Sequence, residues 1–578
     1  MLILKNQVNK ILFNPSFFPN GYVPREIQKT LINEIEQAFD SGYANVVLSA
    51  PTGIGKSLIA AYLANRYENA HIVTSQKNLQ DQYAKDLKLL KPVKGKSNFA
   101  CYQLMDEHKI DLTETKFAMD NDWTCEHGVC EKKVKIDNKM TTEICKYKPK
   151  LYDFNSSNNE LNCLYYDQKF KGLYSKIPLW NYASFFQLIE YGSTVYAQYI
   201  NRNIGIFDEA HRIEDEITNF IEIRITAKNL EDCKISLDKR NIEDIGVVIE
   251  ILDELVECHA QKLRELEERE TEKTEKFVDP GFSSSGTNLS TQYVKLEKNY
   301  HRFFEAKNEI LSNKNNFLVT GNTHLEGKNK AITIKPIKLS NYAKKFFSNP
   351  KQLFMSATIS KTLFCENFGI APSEVAMIET PRSPFPLENR KVEFLNVISL
   401  SKNKPENEKI VFTKIDQILS NHRNSRGLIL TSSKFRCAQI KKNLSPANQK
   451  RIRICHSNDN EFNKTQDEIL IEHANDPAGV LLSSSLWEGV DLKDELSRFQ
   501  IIAKTPYPDL ADKMVKRKNE LYPNWFNGKT IEKLLQGFGR SIRSEQDKAI
   551  TYVLDSNAQT LLLKNLNLVP KAFHDLLN

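Results

Sequence analysis

Residues 45–57 read NVVLSAPTGIGKS, an apolar run passing directly into APTGIGKS. That join restricts the fold more than any other feature of the chain. A loop spaced like G-x-x-x-x-G-K-S/T holds phosphate only when a buried strand delivers it and a helix follows at once, because backbone N–H groups and the helix N-terminus together cup the oxygens. NVVLS has the length and character of the strand, and LIAAYLANRY supplies the helix. The expected class is therefore α/β with parallel sheets. Ala50 stands where the first glycine is usual, but Gly53 and Gly55 still permit close approach. Thr52 lines the loop, Lys56 brings a charge to the outer phosphates, and the Ser57 hydroxyl is the Mg²⁺ ligand. A glycine-rich turn without a ligand is the alternative.

A second motif weakens that alternative. GIFDEAH, residues 205–211, sets Asp208 and Glu209 just after the apolar IGIF. A strand ending there can present Asp208 to the Mg²⁺ shell and Glu209 to an attacking water. ATP hydrolysis with Mg²⁺ is the reading that uses both motifs.

The A-x-T-G-x-G-K-S loop and the DEAH box together resemble superfamily 2 helicases, whose two RecA-like domains close on ATP. Further motifs fall in the family's order. Arg25 and Gln28 in YVPREIQKTLINEI match its adenine-side motif, and HIVTSQKNLQDQY at 71–83 resembles a strand and helix that hold a nucleic-acid phosphate. LFMSATI at 353–359 carries Ser356 and Thr358 in positions that couple hydrolysis to domain movement. PRSPFP at 381–386 resembles the entry to the second motor domain, RGLILTSSKFRC at 426–437 stands in the place of motif IV, and WEGVD at 487–491 matches motif V. LLQGFGRSIRS at 534–544 puts Gln536, Arg540 and Arg543 on what reads as one helical face, with the two arginines as finger candidates.

Five of the chain's 10 cysteines (Cys101, Cys125, Cys130, Cys145 and Cys163) crowd between the Ia-like segment and the DEAH box. Soft thiolates in a Lys- and Asn-rich stretch fit an iron–sulfur or zinc site better than core thiols. The phrases NFAC, CEHGVC, CLYY and NYA narrow the resemblance to XPD/DinG helicases, which carry a 4Fe–4S domain in this slot. The resemblance implies Cys101, Cys125, Cys130 and Cys163 as ligands, with Cys145 the reserve. Basic and aromatic residues flank them, and Phe99, Tyr165 and Tyr166 either stack bases or pack about the cluster. A second insertion after the DEAH box matches the family's helical arch. Within it IGVVIEILDELVECHAQKLRELEERE has helical spacing of apolar residues.

The resemblance implies two RecA-like motor domains interrupted by an iron–sulfur domain and an arch. The expected division is 1–97 (motor domain 1, ATP loop), 98–175 (iron–sulfur), 176–218 (motor domain 1, DEAH part), 219–345 (arch), 346–378 (motor domain 1, S-A-T part) and 379–578 (motor domain 2). It implies an ATP-dependent helicase moving 5′ to 3′ on single-stranded DNA and opening tailed duplexes, in repair or replication. A DNA-stimulated translocase that strips bound proteins is the alternative. Composition agrees: 40% hydrophobic and 26% charged residues describe a globular chain, and a formal +7 suits a polyanionic partner without naming one. The sequence shows no membrane-spanning run or signal peptide, so a cytoplasmic monomer, bacterial or from a phage-infected cell, is expected.

Overall fold

The computed structural model describes residues 13–75, 77–136, 139–150, 162–192, 196–276, 286–320, 331–400, 405–456, 464–542 and 546–577. It forms two compact units, one of Met1–Ile72, Arg202–Ile213 and Phe347–Asn578, the other of Val73–Asn201 and Glu214–Phe346.

The first unit holds two parallel sheets. In one, the order Val375–Glu379, Asn45–Ser49, Gln352–Ser356, Ile204–Asp208 brings together segments distant in sequence. Ser49 lies opposite Ser356, and Met355 opposite Asp208, so three strands end side by side. Loops leaving the carboxyl ends of adjacent parallel strands form the usual ligand crevice of such sheets. NVVLS, IGIFD and QLFMS are almost wholly buried, which is why these strands read as continuous apolar runs instead of alternating ones.

The other sheet runs in the order Val392–Ile398, Ile550–Asp555, Phe499–Ile502, Gly427–Leu430, Val480–Ser483, Ile452–Ile454, all parallel. Its side chains alternate between two apolar layers. Leu428, Leu430, Leu481 and Val553 enter one, and Ile429, Val480, Leu482 and Leu554 the other, as a two-residue strand period requires.

In the second unit Lys91–Val93 pairs in parallel with Pro178–Asn181. The cysteine-rich segment lies here, around an antiparallel hairpin of Glu131–Ile136 and Lys139–Ile144. The later insertion is built from Ile223–Thr226, Ala331–Pro336 and Phe317–Val319, an antiparallel sheet. Two long helices, Ile245–Lys276 and Gly286–Ser312, lie against one another. Ile251, Leu252 and Leu255 from the first and Phe303 and Ile310 from the second share a core with Ile332 and Ile334 of the sheet. The helical spacing in 245–270 predicts the first helix at its observed start. No helix among the described residues is long and apolar enough to cross a membrane.

Candidate nucleotide site and cysteine centre

Gly55 has φ +83° and caps the helix Lys56–Arg66, and Gly53 has φ +85°. Both conformations are costly for any residue with a Cβ. Space gives a second reason: a methyl on Gly53 would overlap the Phe385 ring, and one on Gly55 would stand 2.5 Å from Gln28 Nε2. Arg25 Nη2 donates to Gly53 O at 2.7 Å and Ile54 O at 2.6 Å. Gln28 is fully buried, donating to Ile54 O at 3.0 Å and accepting from Arg25 N at 2.9 Å. These two residues brace the phosphate loop from its own backbone. Lys56 is buried, with Nζ donating to Ala50 O at 3.0 Å, while Thr52 and Ser57 are half-buried at the loop and first helical turn.

Asp208 closes the strand Ile204–Asp208 and is buried. Glu209 follows at φ +50°, a left-handed backbone that turns the chain sharply after the strand. His211, also buried, is the hub of the site. Its Nδ1 lies 2.9 Å from Ser356 Oγ and 3.4 Å from Glu209 Oε2. Its Nε2 lies 3.5 Å from both Glu488 Oε2 and Gln536 Nε2. Gln536 Nε2 also donates to Thr358 Oγ1 at 2.8 Å. DEAH box, S-A-T segment, WEGVD and the final motif thus meet on one imidazole.

Burial opposes charge on His211, but the Glu488 carboxylate, with Glu209 and Glu532 behind it, outweighs burial and holds its pKa above the ordinary histidine value. Glu488 responds in kind: burial would raise it, yet His211, Arg212 and Arg540 bring it down to about 2. Each partner thus favours the charged form of the other.

The helix carrying Gln536 ends sooner than its sequence implies. It spans Trp525–Phe538, and Gly539 and Arg540 turn out of it through bonds to Gln536 O and Gly537 O. Arg540 lies beyond the helix end, yet its Nη2 still reaches Gln536 Oε1 at 3.4 Å. Gly537 is tightly packed, since a methyl there would stand 3.0 Å from the buried Trp487. Arg540 folds back, donating to Val490 O at 2.9 Å and Gln536 O at 3.2 Å. Arg543 lies outside the described residues. Glu488 is the functional side chain that sequence reasoning missed; it stood inside WEGVD without marking itself as the partner of a histidine.

In the second unit the five clustered cysteines converge. Cys101 and Cys163 each cap a helix, Tyr102–Glu107 and Leu164–Tyr174. Cys125 Sγ lies 3.8 Å from Cys163 Sγ and also hydrogen-bonds Cys101. Hydrogen bonds from Cys125, then from backbone N–H groups of the following turn, outweigh burial and lower the Cys101 and Cys163 pKa values to about 7 and about 6. Cys125, hydrogen-bonded to both, is raised by those contacts and then by burial. Cys130 is half-buried, with Lys96 Nζ 3.8 Å from its Sγ, and Cys145 N donates to Cys130 O at 3.0 Å across the open end of the hairpin. A methyl on Gly128 would occupy the space beside Cys101 Sγ. Thiolate-favouring positions, a nearby lysine and a glycine that keeps room beside the sulfur fit a soft-metal cluster.

Tyr166 is buried among Tyr165 and Phe170 with its hydroxyl bonded to Cys130, so it packs at the thiols. Phe99 and Tyr165 are half-buried, their rings 6.1 Å apart, and Lys96 and Lys169 each stand 5.8 Å from the Tyr165 ring.

Residues 415–569 match the family described as helicase C-terminal domain, and residues 21–237 match that described as type III restriction enzyme, res subunit. Against curated proteins the chain has no significant match. Among solved structures it is similar to Xpd4 of S. tokodaii, at 14% identity and a TM-score of 0.51, covering 93% of this chain and 97% of that one. It is also similar to a structure described as XPD helicase, at 16% identity and a TM-score of 0.53, covering 94% and 98%. The shared fold is two RecA-like α/β domains with insertions. The chain thus carries a res-subunit match followed by a helicase C-terminal domain match, within the fold that it shares with those XPD structures.

Proposed function

We propose that the chain is an ATP-dependent DNA helicase that moves 5′ to 3′ on single-stranded DNA and separates tailed duplexes. The carrying observation is the link from His211 through Gln536 to Thr358, which ties the DEAH segment of one parallel sheet to the last motif of the other. A site that only held nucleotide has no need of this link; one that converts hydrolysis into movement does.

Lys56 and Ser57 would hold the outer phosphates and Mg²⁺, with Asp208 contributing to the metal site. Mg²⁺, when bound, would neutralise charge developing on the phosphoryl oxygens. Glu209 would orient the attacking water. Arg25 and Gln28 keep the loop in shape on the adenine side. Arg540 and Arg543 are the arginine-finger candidates in this reading, and loss of the γ-phosphate is felt at Gln536 through its contact with Arg540. The domain division proposed from sequence accompanies this reading.

Cys101, Cys125, Cys130 and Cys163 hold a 4Fe–4S cluster in the same reading, with Cys145 adjacent. The cluster supplies a rigid covalent knot to a segment with little apolar core of its own. The test is ATP turnover with and without single-stranded DNA, in wild type and Lys56→Ala. Stimulation in the wild type and background turnover in the variant support the reading; wild-type turnover that DNA leaves unchanged contradicts it.

A further inference from the structure

The helical insertion carries a second sulfur site, separate from the five clustered cysteines. Cys233 and Cys258 are joined as a disulfide, their Cα atoms 5.9 Å apart and separated by 25 positions in sequence. Cys233 follows the short helix Ala227–Asp232, and Cys258 lies inside the long helix Ile245–Lys276. His259 is 2% exposed, and its Nδ1 lies 2.7 Å from Leu255 O and 3.7 Å from Cys233 Sγ. Both cysteines are half-buried, so a thiol from solution can reach them.

We propose that Cys233 and Cys258 are a reversible thiol–disulfide exchange site for a dithiol, and that their oxidation state sets how firmly residues 227–244 are held on the long helix. The proposal does not depend on the helicase reading.

Three features carry it. The bond joins two elements that also share an apolar core, with Leu230 and Ile242 in one cluster with the long helix's Val248, Leu252 and Leu255, and that are linked by the Arg240–Glu254 ion pair. His259 Nδ1 donates to Leu255 O, and that same N–H faces Cys233 Sγ, where it stabilises negative charge on a departing sulfur. Lys262, one turn beyond Cys258, donates to Asp232 O and brings a cation beside the pair. Burial lowers the His259 pKa, with its bond to Leu255 O opposing that shift.

In the exchange, one thiolate of the dithiol attacks Cys258 Sγ. The S–S bond breaks, its electron pair leaves on Cys233 Sγ, and a mixed disulfide forms at Cys258. The second thiolate of the dithiol then attacks its own sulfur in that mixed disulfide and releases Cys258. The dithiol departs oxidised to a cyclic disulfide, and its two protons end on Cys233 and Cys258.

Two sulfurs and an imidazole nitrogen within 4.8 Å also make a plausible soft-metal triad. The commitment of Nδ1–H to Leu255 O argues for exchange, because a metal needs that nitrogen's lone pair.

The test uses the full chain equilibrated with oxidised and reduced dithiothreitol at graded ratios. Free thiols are trapped by alkylation, and peptides holding Cys233 and Cys258 are quantified by mass spectrometry. The expected result is one two-electron transition in which both cysteines change together, with residues 227–244 exchanging amide hydrogens at least about tenfold faster in the reduced form. His259→Asn should slow reduction about tenfold, while Cys258→Ser leaves Cys233 reactive at every ratio. Thiols that stay free at every ratio overturn the proposal. So does stoichiometric zinc that protects both cysteines from alkylation, or amide exchange that is the same in both states.

Discussion

Gln536 donates its side-chain amide to the hydroxyl of Thr358 across 2.8 Å, and both residues are buried. One sits on the helix that closes the chain's second parallel sheet, the other just beyond a strand of the first. A bond in that position is either made or broken as the sheets shift, and breaking it strands two buried polar groups at a cost of about 1–3 kcal/mol each.

Gln536→Ala is therefore expected to lower the DNA-stimulated turnover number by about ten- to a hundredfold, using about 1.4 kcal/mol per tenfold. KM for ATP should change little, because Gln536 does not belong to the phosphate loop. Steady-state kinetics of the purified variant check this; a raised KM with unchanged turnover would assign Gln536 to nucleotide binding.

The His211–Glu488 pair gives a pH signature. His211 is raised, so its contribution is complete below about 6.5, the unfolded value, and fades as pH rises through its folded value. Glu488 is lowered to about 2, so its contribution is complete above about 4.3 and fades as pH falls toward that value. Thermal stability should therefore decline through the histidine as pH rises above about 6.5. Glu488→Gln removes the partner and should flatten that decline, as melting curves from pH 6 to pH 9 would register. An unchanged alkaline slope in the variant would show that the pair does not set it.

Gly53→Ala meets both a left-handed backbone and the Phe385 ring. The backbone alone costs about 1–2 kcal/mol. The expected result is a lower melting temperature and loss of nucleotide binding. Adding Phe385→Leu should recover part of the melting temperature, since it relieves the overlap but not the backbone. Identical melting of the single and double variants would remove Phe385 from the explanation.

Iron counting separates the cysteines. Serine at Cys101, Cys125, Cys130 or Cys163 should release most of the bound iron from anaerobically prepared protein, while Cys145→Ser should retain it. Gly128→Ala should behave like a ligand loss, because its methyl enters the space beside Cys101 Sγ. Full iron in Cys163→Ser would defeat the ligand assignment.

What could be read beforehand was local. The strand, loop and helix around Lys56 are consecutive, and each glycine's conformation follows from the phosphate loop itself. IGIF announced a buried strand by its unbroken apolar character. The helix over 245–270 was legible from its period for the same reason.

What could not be read depends on residues far apart in the chain. Nothing in WEGVD says that Glu488 faces His211, because only the fold brings them to 3.5 Å. Cys145 looked surplus in a linear count, yet the hairpin folds it beside Cys130. Cys233 and Cys258 carry no local signal of pairing; they meet because the short helix lies on the long one. At the final motif, helical spacing continued past Phe538 on paper, whereas the helix stops there.

The proposed function has hydrolysis at Lys56 moving the protein along a strand. Strand separation on duplexes with a 5′ or a 3′ single-stranded tail, with Lys56→Ala as control, decides it. Only the 5′-tailed duplex is expected to open, only with ATP, and not in the variant. Opening of the 3′-tailed duplex alone would contradict the polarity, and no opening of either, while DNA still stimulates hydrolysis, would contradict strand separation as the activity.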